Sequence, residues 1–178
     1  MNAQLPWYVA RAAGLVSWGL LAAATFWGLA LSTRILRRPR ANWILDLHRW
    51  LGGLALVFTG VHVIALLFDS YVGFGLVDVT VPLASHWHPV AVAWGIVGAY
   101  LLLAVEVTSL ARSRLPRRLW RRVHCASFPL FVSATAHGLS AGTDTKAMMA
   151  KVAAIAAGSV FVGLTAARVS ESVYPEAA

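Results

Sequence analysis

Charge is scarce in this sequence. Of 178 residues only 12% are Asp, Glu, Lys or Arg, while 59% are apolar. A soluble globular domain carries about 25% charged residues, so this balance argues against a soluble fold and for lipid. Cysteine is reduced to Cys125, which excludes an internal disulfide. Inside an apolar run it reads as a buried, inert thiol. No glycine fingerprint follows a strand-like run and the connections are short, so neither a nucleotide-binding unit nor a flavin-binding barrel is encoded in these residues. Any soluble redox cofactor is expected on another molecule. The formal charge of +8 would suggest nucleic acid in a soluble protein. Here the basic residues flank apolar spans, where membrane orientation accounts for them, and no nucleic-acid partner is expected.

What is present is apolar length. Five stretches, roughly Trp7–Ser32, Trp43–Phe68, Pro89–Leu110, Leu119–Leu139 and Met148–Ala167, each approach the ~20 residues that cross a hydrocarbon core. The first lacks a basic lead-in and a cleavage site and is expected to be a retained span. The fold class is therefore all-α, a single domain over residues 1–178 forming a bundle of five transmembrane helices, multi-pass in the cell membrane. Arg34, Arg37, Arg38 and Arg40 fill the first connection and Arg112, Arg114, Arg117, Arg118, Arg121 and Arg122 surround the third. The second connection has no Lys or Arg, and the fourth has only Lys146, with Lys151 opening the next span. The positive-inside rule then places the N-terminus outside and the C-terminus in the cytoplasm, with spans two and four running in the same direction.

Spans two and four each carry two histidines, His48 with His62 and His124 with His137. Their separations of 14 and 13 residues become roughly 21 and 20 Å along a helix. Paired by depth, His48 meets His124 near the inner surface and His62 meets His137 near the outer one. Two parallel helices that each offer an imidazole at one height can ligate a porphyrin iron from both sides. The expectation is two bis-histidine b haems, with no open iron position and hence electron transfer rather than oxygen binding. Arg49, Arg121 and Arg122 are candidate propionate partners. Thirteen residues leave His137 about 140° off the face of His124 in an ideal helix. Pro129 between them is expected to kink or rephase the helix. Four unrelated packing histidines are the competing explanation.

The pairs in "LHRWLGGLALVFTGVH" and "VHCASFPLFVSATAH" resemble the haem ligands of the ferric-reductase-like transmembrane domain, shared by ferric reductases, NADPH oxidases and the haem subunit of bacterial methionine sulfoxide reductase systems. "WYVARAAGLVSW" and "LPRRLWRRVH" look like segments of small stand-alone actinobacterial members. The resemblance implies a haem-binding electron-transfer domain. Larger members append flavin and nicotinamide domains after the last span; these residues end at "VSESVYPEAA" without them.

Other residues invite weaker readings. Glu106, an intramembrane carboxylate, is expected to pair with Arg112 or Arg34, with proton handling the alternative. Arg11 either meets an outer propionate or snorkels. Phe58, Phe128 and Phe131 lie between the iron depths and either pack or bridge them. Gly52, Gly53 and Gly60 permit close approach of a macrocycle or a helix. His86 and His88 form an "HWH" that could bind a metal ion, although an interfacial loop with Trp87 as membrane anchor is preferred. Tyr71, Phe74 and Val77 make an apolar connection, a lid or a partner surface.

The expected function is a membrane cytochrome b taking electrons from a cytoplasmic flavoprotein to an acceptor outside. A quinone-linked cytochrome feeding an extracytoplasmic reductase is the first alternative. A non-redox scaffold or transporter is the second.

Overall fold

A computed structural model of the chain describes residues 4–33, 42–142 and 148–173. Arg34, Arg37, Arg38, Arg40 and Lys146, on which part of the orientation argument rests, lie outside the described residues. The described residues form helices without a strand: α1 (Leu5–Ser32), α2 (Asn42–Phe68), α3 (Leu76–Thr80), α4 (Pro89–Leu110), a 3-10 turn (Arg112–Arg114), α5 (Arg117–His124), α6 (Ser127–Ala141) and α7 (Met148–Val173). Four of them hold stretches long and apolar enough to cross a membrane: Leu5–Ser32, Trp43–Phe68, Pro89–Leu110 and Lys151–Ser170.

The fourth expected span is not one helix. Pro129 has no N–H to return to the carbonyl of Cys125, so the ladder cannot continue unbroken through it. The N–H of Phe128 takes that carbonyl instead (3.2 Å), and the N–H of Ala126 takes that of Val123 (2.9 Å). These three-residue bonds tighten the chain into a 3-10 turn between α5 and α6. Pro129 then falls in the first turn of α6, where its missing donor costs nothing. A 3-10 residue turns ~120° instead of ~100°, so the break advances α6 about its axis in the direction the 13-residue spacing lacks. Cys125 caps α5 at this break and is exposed, not buried as its apolar neighbours suggested.

Proline opens α1 and α4, where its fixed φ suits the first turn. The C-terminus of α1 is closed by the hydroxyls of Ser32 and Thr33, which donate to the carbonyls of Leu29 (2.8 Å) and Ala30 (3.0 Å). α1 and α2 pack as an antiparallel hairpin, α4 packs on α6, and α1 also touches α6 and α7. Along the hairpin, contacts recur every seven residues on both helices: Ala10 with His62, Ser17 with Ala55 and Ala24 with His48. Seven residues are almost two turns, the repeat that keeps one helix seam against its neighbour.

The interior mixes apolar side chains such as Leu21, Leu102, Leu130 and Phe131 with small and hydroxyl ones. Ser17 donates to the Ala55 carbonyl (3.0 Å) and meets the Thr59 hydroxyl (2.7 Å), while Ser133 donates to the Trp94 carbonyl (2.7 Å). Interhelical bonds of this kind contribute ~0.6 kcal/mol each in membrane bundles. Large apolar side chains such as Trp50, Val57, Ile64, Phe68 and Ile155 face outward instead. Lipid tails solvate that surface, so the bundle needs no polar exterior along its length.

Candidate functional site

The four helix histidines come together as two facing pairs. The ring centres of His48 and His124 are 6.0 Å apart with planes crossed at 73°. Those of His62 and His137 are 6.2 Å apart and crossed at 78°. α2 supplies one member of each pair, and the α5–α6 break turns His124 and His137 to the same side. A cluster of Leu21, Ala55, Leu102 and Leu130 packs between these helices, and Ala55 and Leu130 are each about midway in sequence between the histidines of their segments.

Three of the rings are held by backbone. Nδ1 of His62 lies 2.6 Å from the Ala10 carbonyl, Nδ1 of His137 lies 2.8 Å from that of Ala91, and Nδ1 of His48 lies 3.0 Å from that of Ala24. A carbonyl only accepts, so each Nδ1 carries the hydrogen and donates it. In the neutral ring Nε2 is then the free lone pair. This is the outer-shell contact that orients imidazole ligands and raises their basicity.

His124 is held differently. Its Nδ1 is 3.4 Å from the Ser109 hydroxyl, which can donate or accept and so does not fix the tautomer. Its ring stacks on Trp120, with centres 5.0 Å apart and planes at 23°. The Arg112 guanidinium in turn lies 4.7 Å from the centre of the Trp120 ring. The Trp120 indole N–H is buried and has no hydrogen-bond partner among the described residues. The charges of Arg112 and Arg168 both act on His124, and that of Arg49 on His48.

Other expected residues are placed less centrally. Arg49 is exposed and pairs with Asp46 (3.2 Å), and Arg121 and Arg122 are exposed on α5. Phe131 is buried against Ala22, Phe26, Ala157 and Phe161, and Phe128 also meets Phe161 (5.6 Å). They pack α6 on α1 and α7, and the space between the histidine pairs is aliphatic. A methyl group on Gly52 would collide with the Glu106 carboxylate, so Gly52 admits this acid between α2 and α4. Gly53 and Gly60 face nothing within 4 Å. Arg112 turns to Trp120 rather than to Glu106. Arg11 lies 4.9 Å from the ring centre of Trp7.

The connection after α2 folds over the end of the bundle that holds His62 and His137. Phe74 is buried there against Val92 and Ile96, with the half-buried Trp87 packed onto the same cluster. Tyr71 and Val77 are exposed. His86 is not free for a metal: Nδ1 is 3.2 Å from Asp78 and Nε2 is 3.2 Å from the Val72 carbonyl. His88 caps α4 in a left-handed conformation with its ring against Trp87. The N–H of Gly75, donating to Asp78 at 2.9 Å, holds that carboxyl below its ordinary 3.8, and the ring and N–H of His86 add to the effect.

Among the described residues no three His, Cys, Asp or Glu side chains converge as in a closed metal cage. Facing pairs suit instead a metal that brings its own equatorial ligands. If one nitrogen of each ring binds a metal at ~2.0–2.1 Å, with about 1.1 Å more to each ring centre, collinear rings stand roughly 6.3 Å apart. The observed 6.0 and 6.2 Å fit that requirement. Sequence reasoning found the histidines but not Trp120, Ser109 or the three carbonyls, since every residue has a carbonyl and none is marked as a partner.

No curated protein and no solved structure matches the chain. The profile of the ferric reductase like transmembrane component matches residues 10–135, a segment that begins at the carbonyl holding His62 and ends two residues before His137. With that match over most of its length, the chain belongs to the ferric-reductase-like transmembrane family.

Proposed function

We propose that this chain is a di-haem b membrane cytochrome, ligated by His48 with His124 and by His62 with His137, that carries electrons across the bilayer. The single observation behind this reading is the pair of facing imidazole couples at 6.0 and 6.2 Å. Three of the four rings present Nε2 because a carbonyl occupies Nδ1. His48 with His124 and His62 with His137 would hold haem iron, and the group would supply one-electron exchange there. The protein's part is to fix the rings, exclude water with an aliphatic interior, and offer cationic partners for propionates. The exposed Arg121 and Arg122 beside His124 are the candidates for that role, with the neutral Trp120 N–H, unpartnered among the described residues, a further donor at the same end and Arg49, paired with Asp46, the weakest of them.

In this reading α5 and α6 together make the fourth of five crossings, the N-terminus is outside, and the His48/His124 pair faces the cytoplasm. A separate cytoplasmic flavoprotein donates electrons and an acceptor outside receives them. The test is the absorption spectrum of purified full-length protein, oxidised and reduced, with haem counted against protein. Two low-spin haems per chain are expected. One haem or none in a homogeneous preparation overturns the reading. Reduction by a flavin reductase but not by quinol supports the cytoplasmic donor, and the reverse moves the entry of electrons into the bilayer.

A further inference from the structure

The carbonyls that hold His62, His48 and His137 share one sequence feature. Each is four residues before a glycine: Ala10 before Gly14, Ala24 before Gly28 and Ala91 before Gly95. In a helix that carbonyl already accepts the N–H of the glycine, so an imidazole must come to its second lone pair past the residue where the glycine sits. The space is filled by the ring itself. A methyl carbon on Gly95 would lie 2.8 Å from Cε1 and Nδ1 of His137, one on Gly14 2.9 Å from Nδ1 of His62, and one on Gly28 3.0 Å from Cε1 of His48. Non-bonded carbon contacts are comfortable only at about 3.5–4.0 Å.

We propose that Gly14, Gly28 and Gly95 are positioning residues, each opening one helix face so that an imidazole from another helix can donate Nδ1–H to the carbonyl one turn earlier and present Nε2. Other described helical glycines do not share the geometry. Gly19, Gly53, Gly60, Gly138, Gly158 and Gly163 meet nothing within 4 Å, and Gly98 makes an ordinary contact at 3.7 Å. Among the described residues His124 has no carbonyl partner, and none of the glycines compared above lies against it. On α1 the clamp recurs after 14 residues, matching the 14 between His48 and His62 on the antiparallel α2. One helix pair thereby sets the height of both sites. The role assigned to Nε2 rests on the di-haem reading; the clamp on the ring does not.

The test uses full-length purified protein carrying G14A, G28A or G95A, with G19A on α1 and G98A on α4 as controls for the same change on the same helices. The readouts are haem per chain, the electron paramagnetic resonance of each ferric haem, and the nitrogen-15 resonances of the imidazoles. G95A and G14A should shift or abolish only the signal of the His62/His137 haem, lowering the count from two towards one. G28A should act only on the other haem, with the smallest shift because its contact is longest. In each case the affected ring should lose its Nδ1–H signature while the controls keep the wild-type pattern. If G95A fails to insert, G28A carries the test.

Two haems in the wild type together with clamp variants as silent as G19A and G98A would overturn the inference and leave the di-haem reading standing. A wild type without haem would overturn that reading instead. The nitrogen-15 resonances then decide the clamp alone: loss of the Nδ1–H signature in G95A sustains it, and an unchanged His137 ring refutes it.

Discussion

The two histidine pairs are built to different standards. His62 and His137 both donate to carbonyls, at 2.6 and 2.8 Å, and both lie against a glycine. In the other pair His48 has the same support at 3.0 Å, but His124 relies on a hydroxyl at 3.4 Å and a stacked tryptophan. Charge divides the same way, since Arg49, Arg112 and Arg168 lie close enough to act on the His48/His124 pair, while no arginine acts on His62 or His137 among the described residues. Backbone clamps leave a ring few alternatives, whereas side-chain supports can be adjusted by whatever binds nearby. If the pairs hold haem as proposed, the difference suits a fixed terminal site and a responsive entry site.

The largest effect is expected from His137→Ala. The fully clamped site has no spare ligand among the described residues, so this substitution should remove one haem of two and leave the spectrum of the His48/His124 haem intact. Loss of the His48/His124 signal instead would show that the pairs are not independent.

Trp120→Leu comes next. It removes the ring stack on His124, worth ~0.5–1.5 kcal/mol, and the cation–π contact by which Arg112 holds Trp120, worth ~0.5–1 kcal/mol. Retention of that haem should fall about tenfold, measured by competition with an apo haem-binding protein, and its resonance should broaden. The His62/His137 haem should be unmoved. Equal weakening of both haems would mean that Trp120 supports the bundle rather than the ligand.

The long helices and both histidine pairs were legible because apolar length and intramembrane imidazoles are conspicuous. The division of the fourth span is legible only as Pro129; nothing local says that the break falls at Cys125, which is why an apolar run there suggests a buried thiol where the structure has an exposed one. Phe128 and Phe131 were ambiguous because the face each presents depends on that rephasing. Arg49 is a plainer lesson: one residue after His48, it points ~100° away on a helix, and it is found outside with Asp46. The carbonyl supports left no side-chain trace except a glycine four residues on.

A several-fold effect is expected for the surface beside the less rigid pair. Arg114, Arg117 and Arg118 are exposed around α5, and an acidic donor should be steered to them. Changing all three to Gln should slow reduction of the His48/His124 haem by its native donor several-fold at low salt. The difference should vanish as screening shortens to ~8 Å at physiological strength. Equal rates at every ionic strength would leave these arginines as orientation signals and favour a quinol donor.

The smallest effect concerns the connection over the His62/His137 pair. Asp78 fastens that cover through Gly75 and His86, and Tyr100 ties it to α4 by donating to the Thr80 carbonyl (2.6 Å). Asp69 sits at its root, accepting from the Val72 N–H. Because the folded Asp78 carboxyl lies below its ordinary 3.8, the unfolded connection takes up the proton first. The stabilisation is therefore complete above 3.8 and is lost as pH falls through the lower folded value. The protection of the Gly75 and His86 amides, taken as the exchange rate relative to the intrinsic rate at the same pH, should fall in that acid window in the wild type. In Asp78→Asn protection should already be low at neutral pH and change little with acid. Access of a small external reductant to the His62/His137 haem should rise in parallel, with the His48/His124 haem unaffected. If the variant keeps the wild-type acid dependence, another group fastens the cover, and the shielding of this pair belongs to the buried Phe74 cluster instead.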